Sequence, residues 1–229
     1  LRINFGYSGL FGGHLTHIIK KTTVKSKKLK TYYLNIEQSI PGNNKINGEN
    51  LILPTISNNP NLEHIQFGSM SSVEDNFFMD FYHLMKKSLK NLKTIKFITT
   101  DIVIEEYFLD LSDYDVEVFE LKVIHKHRSI KKQGWNHLFG SLIGCKNLKK
   151  FVLGNLGNEI SNDELGAPFY GMVNYLLTKR KDSLESVAIE PYPCSPFTSF
   201  DITTTISKIK NLKKATLGLS HNFKNRLKQ

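Results

Sequence analysis

Apolar and polar positions along this chain keep returning to one short phrase. It runs apolar, two variable residues, apolar, one variable, apolar. It is written as Leu29-Lys-Thr-Tyr32-Tyr-Leu34, Leu62-Glu-His-Ile65-Gln-Phe67, Leu92-Lys-Thr-Ile95-Lys-Phe97 and Val116-Glu-Val-Phe119-Glu-Leu121. It continues as Leu148-Lys-Lys-Phe151-Val-Leu153, Leu184-Glu-Ser-Val187-Ala-Ile189 and Leu212-Lys-Lys-Ala215-Thr-Leu217. Successive copies start between 24 residues (92 to 116) and 36 residues (148 to 184) apart. Ile3 and Phe5 fill the last two apolar slots of an eighth copy that lacks its leading residue. Alternation with period two predicts a strand at each phrase. Self-similarity at this spacing predicts a solenoid, because one such unit cannot bury its apolar face without stacking on a neighbour.

The stretches between phrases carry the helical period. In residues 72–89, Phe77, Phe81, Leu84, Met85 and Leu89 recur at three- and four-residue steps. Ser72 is placed to cap that helix, and Lys86 and Lys87 fall in its last turn. Residues 135–143 and 163–178 repeat the idea, the latter with Phe169, Met172, Val173, Leu176 and Leu177. Residues 42–50 read as a surface loop, and 191–196, with three prolines, as a stiff non-helical connection. Strand, loop, helix and link form a right-handed crossover unit. Repeating it predicts an α/β solenoid of about seven to eight repeats, with a parallel sheet on the concave face and helices on the convex face. Helices are wider than strands, so the stack curves. Residues 1–229 are read as one domain with no internal linker. A doubly wound sheet, the competing arrangement, would not need the repeated phrase.

The phrase resembles leucine-rich repeats of the longer, helix-containing kind found in ribonuclease inhibitor and in the substrate-binding halves of F-box proteins. Cys145-Lys-Asn-Leu148-Lys-Lys-Phe151-Val-Leu153 is similar to the subtype in which a helix ends in Cys-x-x-Leu. The resemblance covers nearly the whole chain. It departs at the ninth position, where an asparagine ladder is expected and Glu37, Met70, Thr100, Ile124, Leu156, Tyr192 and Ser220 stand instead. The resemblance implies a partner-binding concave face, and by extension an adaptor or substrate receptor of a ubiquitin ligase whose N-terminal helical part lies upstream of residue 1.

In such a repeat the first, fourth and sixth positions point into the core, and the second, third, fifth, seventh and eighth face the concave side or its rim. The second position reads Lys30, Glu63, Lys93, Glu117, Lys149, Glu185, Lys213, changing sign at every step. Strands lie about 4.8 Å apart, so each lysine is expected between carboxylates, a cross-strand arrangement worth roughly 0.2–1 kcal/mol per pair. The fifth position is mixed: Asn4, Tyr33, Gln66, Lys96, Glu120, Val152, Ala188, Thr216. Mixed polarity with tyrosines suits protein recognition better than an uninterrupted cationic track for phosphates. The candidate partner-binding residues on this face and its rim are Tyr7, Tyr33, Gln66, Lys96, Glu120, Lys122, His125, His127 and Arg128.

Composition changes this picture little. Of 229 residues, 40% are apolar, which suits a folded domain, and no apolar run is long enough to span a membrane. No secretory leader is visible, and two cysteines, Cys145 and Cys194, make no disulfide framework. A cytoplasmic or nuclear protein is expected. The net charge of +10 attracts acidic partners or nucleic acid without specifying either. Its densest runs are residues 20–30 and 122–132, which make an RNA-contacting component of a ribonucleoprotein or other large assembly the alternative reading.

Catalytic constellations do not assemble. Gly6-Tyr-Ser-Gly9-Leu-Phe-Gly12-Gly13 lacks both the Gly-Lys-Ser/Thr ending of a phosphate loop and dinucleotide-type spacing. His125 and His127 have no partner pair at metal-ligand spacing, and no Gly-x-Ser-x-Gly elbow occurs. The expectation is a noncatalytic protein–protein interaction scaffold, with no metal and no cofactor.

Overall fold

A computed structural model of the chain describes residues 2–5, 29–36, 52–68, 77–99, 111–123, 132–154, 163–192 and 196–219. It forms two compact units, Leu1–Asp101 and Ile102–Gln229. Both are α/β, with parallel strands that follow one another in space in the order of the sequence, compatible with a solenoid-like stack. The first unit holds strands β1 (Arg2–Phe5), β2 (Thr31–Ile36), β3 (His64–Phe67) and β4 (Thr94–Thr99) with helices α1 (Leu53–Ser57) and α2 (Phe77–Ser88). The second holds β5 (Val118–Val123), β6 (Lys150–Gly154), β7 (Ser186–Tyr192) and β8 (Lys214–Leu219) with α3 (Lys132–Gly144), α4 (Asp163–Arg180) and α5 (Pro196–Ser207).

The phrases stack in register. Tyr32 pairs with Ile65 and Ile65 with Ile95, while Leu34, Phe67 and Phe97 form the next rung. In the second unit Phe119, Phe151, Val187 and Ala215 make one rung, and Leu121, Leu153, Ile189 and Leu217 another. The leading leucines sit two residues before their strands, where the chain turns out of the preceding helix or turn. The N–H of Leu62 donates to Asn59, that of Leu148 to Cys145 and that of Leu184 to Arg180, at 3.0–3.3 Å. Leu62, Leu92, Leu148 and Leu184 are fully buried, each contributing about 1.5–3 kcal/mol over an exposed side chain.

From there the backbone ladder begins with a repeated motif. The second-position carbonyl of one repeat accepts N–H groups from the second and third positions of the next. Lys30 O takes Glu63 and His64, Glu63 O takes Lys93 and Thr94, and Lys149 O takes Glu185 and Ser186. Where this motif occurs, both N–H groups that lead into the strand are satisfied and the adjacent repeats are tied in register.

The helices cover the face of the fourth and sixth positions. In the first unit Phe81 of α2 meets Phe67 edge-on at 5.0 Å, and Phe67 stacks on Phe97 at 5.9 Å. In the second, Phe139 of α3 lies against Phe151 at 6.3 Å, and Trp135 and Phe169 close over it. Phe81, Met85 and Leu89 of the expected α2 stripe are buried and Leu84 half-buried. Cys145 follows α3 directly, fully buried, and its thiol donates to the Leu111 carbonyl of the preceding repeat at 3.4 Å.

Two readings are corrected. β1 is offset by two residues from the phrase: Ile3 pairs with Leu34 and Phe5 with Ile36, so Arg2, not Asn4, aligns with Tyr33. With no leading apolar residue to anchor its start, β1 had two strand registers open to it that satisfy the alternation equally well. The 191–196 reading is corrected at its two ends, residues 193–195 lying outside the described residues. Pro191 lies within β7, where the register shifts between Ile189 and Tyr192, and Pro196 opens α5. Proline lacks the N–H of a regular ladder but suits the first turn of a helix. The predicted Ser72 cap lies outside the described residues.

Candidate functional site

On the face opposite the helices, the first unit presents two rungs of polar side chains. Thr31, His64 and Thr94 share one register and Tyr33, Gln66 and Lys96 the next. Thr31 is exposed and the other five are half-exposed. His64 Nδ1 and Thr94 Oγ1 lie 2.9 Å apart and tie β3 to β4 across this surface. Two residues further along, Asn35 lies against Gly68 and is itself only 6% exposed, occupying space that a side chain at 68 would fill. The expected residues Tyr33, Gln66 and Lys96 are thus brought together on three adjacent strands.

The alternating charges form the predicted ladder along the strand starts. Glu63 is held between Lys30 at 2.7 Å and Lys93 at 3.3 Å, and hydrogen bonds from these two lysines keep its carboxyl below the usual range. In the second unit Glu117 pairs with Lys149 and Glu185 with Lys213, both at 2.7 Å. The Glu117 contact raises the Lys149 ammonium above its ordinary value, and Lys213 lowers the Glu185 carboxyl.

The corresponding face of the second unit is different in kind. Glu120, expected to be presented to a partner, is 6% exposed and held by Lys122 at 3.1 Å and Lys150 at 3.6 Å. Its neighbour in the rung, Val152, is also buried. Lys122 lies across Gly154, where an added Cβ would come within 2.8 Å of its Cγ. Both residues therefore serve the internal packing of β5 and β6. Tyr7, His125, His127 and Arg128 lie outside the described residues, as do Cys194 and most of the two basic runs.

Sequence reasoning missed a third polar tier at the turns. Asn147, just before Leu148, donates to Asp115 at 2.6 Å, and Asn211, just before Leu212, donates to the Asp182 carbonyl at 2.8 Å. Lys210 adds an ion pair to Asp182 at 3.0 Å. The signal was present in the repeated Asn-Leu dipeptide, with an aspartate 32 or 29 residues before each asparagine. Arg180, in the last turn of α4, is half-buried and donates from Nη1 to the Cys145 carbonyl at 3.4 Å.

Among the described residues no group of three or more His, Cys, Asp or Glu side chains could hold a metal ion. No helix among them is long and apolar enough to cross a membrane. In comparisons with known proteins, no family model, no curated protein and no solved structure matches the chain. What the geometry offers is hydrogen-bonding capacity spread over neighbouring strands.

Proposed function

We propose that the protein is a leucine-rich-repeat-like solenoid acting as a noncatalytic scaffold for protein recognition, with its docking surface on the polar face of the first unit. The observation that carries this reading is the register-matched rung Tyr33, Gln66 and Lys96, flanked by Thr31, His64 and Thr94. A phenol ring, an amide and an ammonium on adjacent strands offer an aromatic anchor surrounded by directional polar groups, and tyrosine is enriched at protein hot spots. The carboxylate of Glu63 between Lys30 and Lys93 breaks the line of cations that a nucleic-acid track would need. A substrate-receptor role in a ubiquitin ligase is the specific form that the resemblance of the repeat phrase suggests.

The test is affinity capture with the full-length protein, then binding measurements on the recovered partner. Tyr33→Ala is expected to weaken binding by about tenfold or more, and Gln66→Ala and Lys96→Ala by smaller factors. A steep loss of affinity with salt that vanishes when the lysines of residues 20–30 and 122–132 are neutralised would replace this reading with RNA contact.

A further inference from the structure

His64 stands in the middle of the first unit's polar face. β3 lies between β2 and β4, and His64 shares its register with Thr31 on one side and Thr94 on the other. The ring is half-exposed. Its Nδ1 meets Thr94 Oγ1 at 2.9 Å, which fixes the ring through one nitrogen. The other nitrogen, Nε2, makes no hydrogen bond to the described residues and is not one of their buried polar atoms. One nitrogen serves the fold, and the second is left for a ligand.

Protonation changes that outward nitrogen and little else. A hydroxyl both donates and accepts, so Thr94 keeps its contact with Nδ1 in the neutral ring and in the imidazolium. Nε2 becomes an obligatory charged donor. Histidine is the side chain that ordinarily makes this change between about pH 5 and 8. Among the described residues, the ionisable groups flanking His64 are Glu63 beside it in the chain, Lys30 and Tyr33 from the β2 repeat, and Lys93 and Lys96 from the β4 repeat. Lys30 and Lys93 share the Glu63 carboxylate, so that acid is already engaged. Ammonium groups on both sides of the ring suit an anionic visitor and disfavour a cationic one.

We propose that the partner protein docks an acidic segment on this face, seating a carboxylate on His64 Nε2, and that binding tightens as pH falls from about 7.5 to about 5.5. The inference rests on the docking face argued above and adds the partner's charge and its pH response. The sign follows from linkage. A carboxylate favours the imidazolium, so binding takes up a proton and gains affinity as protons become more available. A charge-assisted hydrogen bond of this kind is also stronger than the one a neutral ring makes. An uninterrupted phosphate chain fits less well, because Glu63 sits among the cations that would track it.

The experiment uses the full chain and, as probe, an end-capped peptide alternating aspartate and serine, with asparagine for aspartate in its neutral counterpart. Expected are saturable binding and amide chemical-shift changes on β2, β3 and β4. Affinity should be about threefold higher at about pH 5.5 than at about pH 7.5, as an exposed ion pair allows. His64→Gln should bind equally at both, while His83→Gln and His137→Gln, exposed on α2 and α3, should keep the pH response. In the unaltered chain, the His64 imidazole should stay protonated to higher pH when the peptide is bound, a readout that needs no variant. No saturable binding at millimolar peptide, equal binding of the neutral peptide, or a pH response that survives His64→Gln overturns the proposal. So does displacement of the peptide from β2–β4 by a lower concentration of single-stranded oligouridylate, which would assign the anion to nucleic acid. Shift changes on β2–β4 without pH dependence remove this inference alone, whereas changes confined to other elements remove the docking face with it.

Discussion

The stretches Leu62–Gly68 and Leu212–Gly218 are the same phrase, each with a glycine in the seventh place, yet their side chains meet opposite fates. Leu62, Ile65 and Phe67 are 0%, 1% and 0% exposed. Leu212 and Leu217 are half-exposed, and Ala215 is exposed. Glu63 has a lysine on each side, while Lys213 has one carboxylate on one side. Among the described residues, the first has neighbouring strands on both flanks and the second on one. In a stacked architecture burial belongs to the interface between repeats more than to any single repeat.

Truncating the sixth-position side chain puts the largest strain on this comparison. Phe67→Ala is expected to cost about 3–5 kcal/mol, since it empties a site packed against Tyr32, Phe81 and Phe97. Leu217→Ala should cost less, about 1–2 kcal/mol, because Leu217 is only partly buried. Equal losses in chemical denaturation would show that the two repeats are not differently supported. The seventh position gives the next contrast. A methyl at Gly68 collides with the buried Asn35 amide, so Gly68→Ala should cost about 1–3 kcal/mol. At Gly218 the overlapping group is the exposed Glu190 side chain, which can swing away, and the change should stay within about 0.5 kcal/mol.

Tyr32 sharpens the picture in the opposite direction. It occupies the fourth-position slot of β2, fully buried, and its hydroxyl has no hydrogen-bond partner among the described residues. Burial pushes the phenol above the usual tyrosine range. Tyr32→Phe is therefore expected to stabilise the protein by about 1 kcal/mol, read as a higher Tm, because the orphaned hydroxyl carries a desolvation cost and no compensating bond. An unchanged or lowered Tm would mean that the hydroxyl is satisfied in solution.

The smallest effect is electrostatic. Hydrogen bonds from Lys30 and Lys93 hold the Glu63 carboxyl below its ordinary 4.5, and Lys213 acts on Glu185 in the same sense. As pH falls, the unfolded chain takes up these protons first. The contribution is present above about pH 4.5 and lost as pH drops through the lowered folded-state value. Glu63→Gln should flatten the acid limb of the Tm–pH curve slightly more than Glu185→Gln, with both curves converging in high salt, where exposed pairs are screened.

Much of the fold was legible because period-two alternation is a direct record of which side of a strand is buried. The rungs Tyr32–Ile65–Ile95 and Phe119–Phe151–Val187 and the lysine–glutamate alternation follow from it. β1 was misplaced by two residues for the same reason: a period of two is unchanged by a shift of two, and Arg2-Ile-Asn-Phe5 has no leading leucine to break the tie. The candidate face was legible in part. Tyr33, Gln66 and Lys96 do share a rung, whereas Glu120 occupies the same column and is buried under Lys122 and Lys150. Column position predicts the direction of a side chain but not how far its neighbours lean over it.

By itself, then, the amino-acid sequence determined the repeating unit, the apolar slots, the order of the rungs and the sign of each charge along the strand starts. These depend on local periodicity and on residues separated by one repeat. Tertiary packing alone decided which of the equivalent positions are covered: Asn35 over Gly68, Lys122 over Gly154, and Asn147 against Asp115. Coverage is a property of two repeats and the space between them, and no single copy of the phrase contains it.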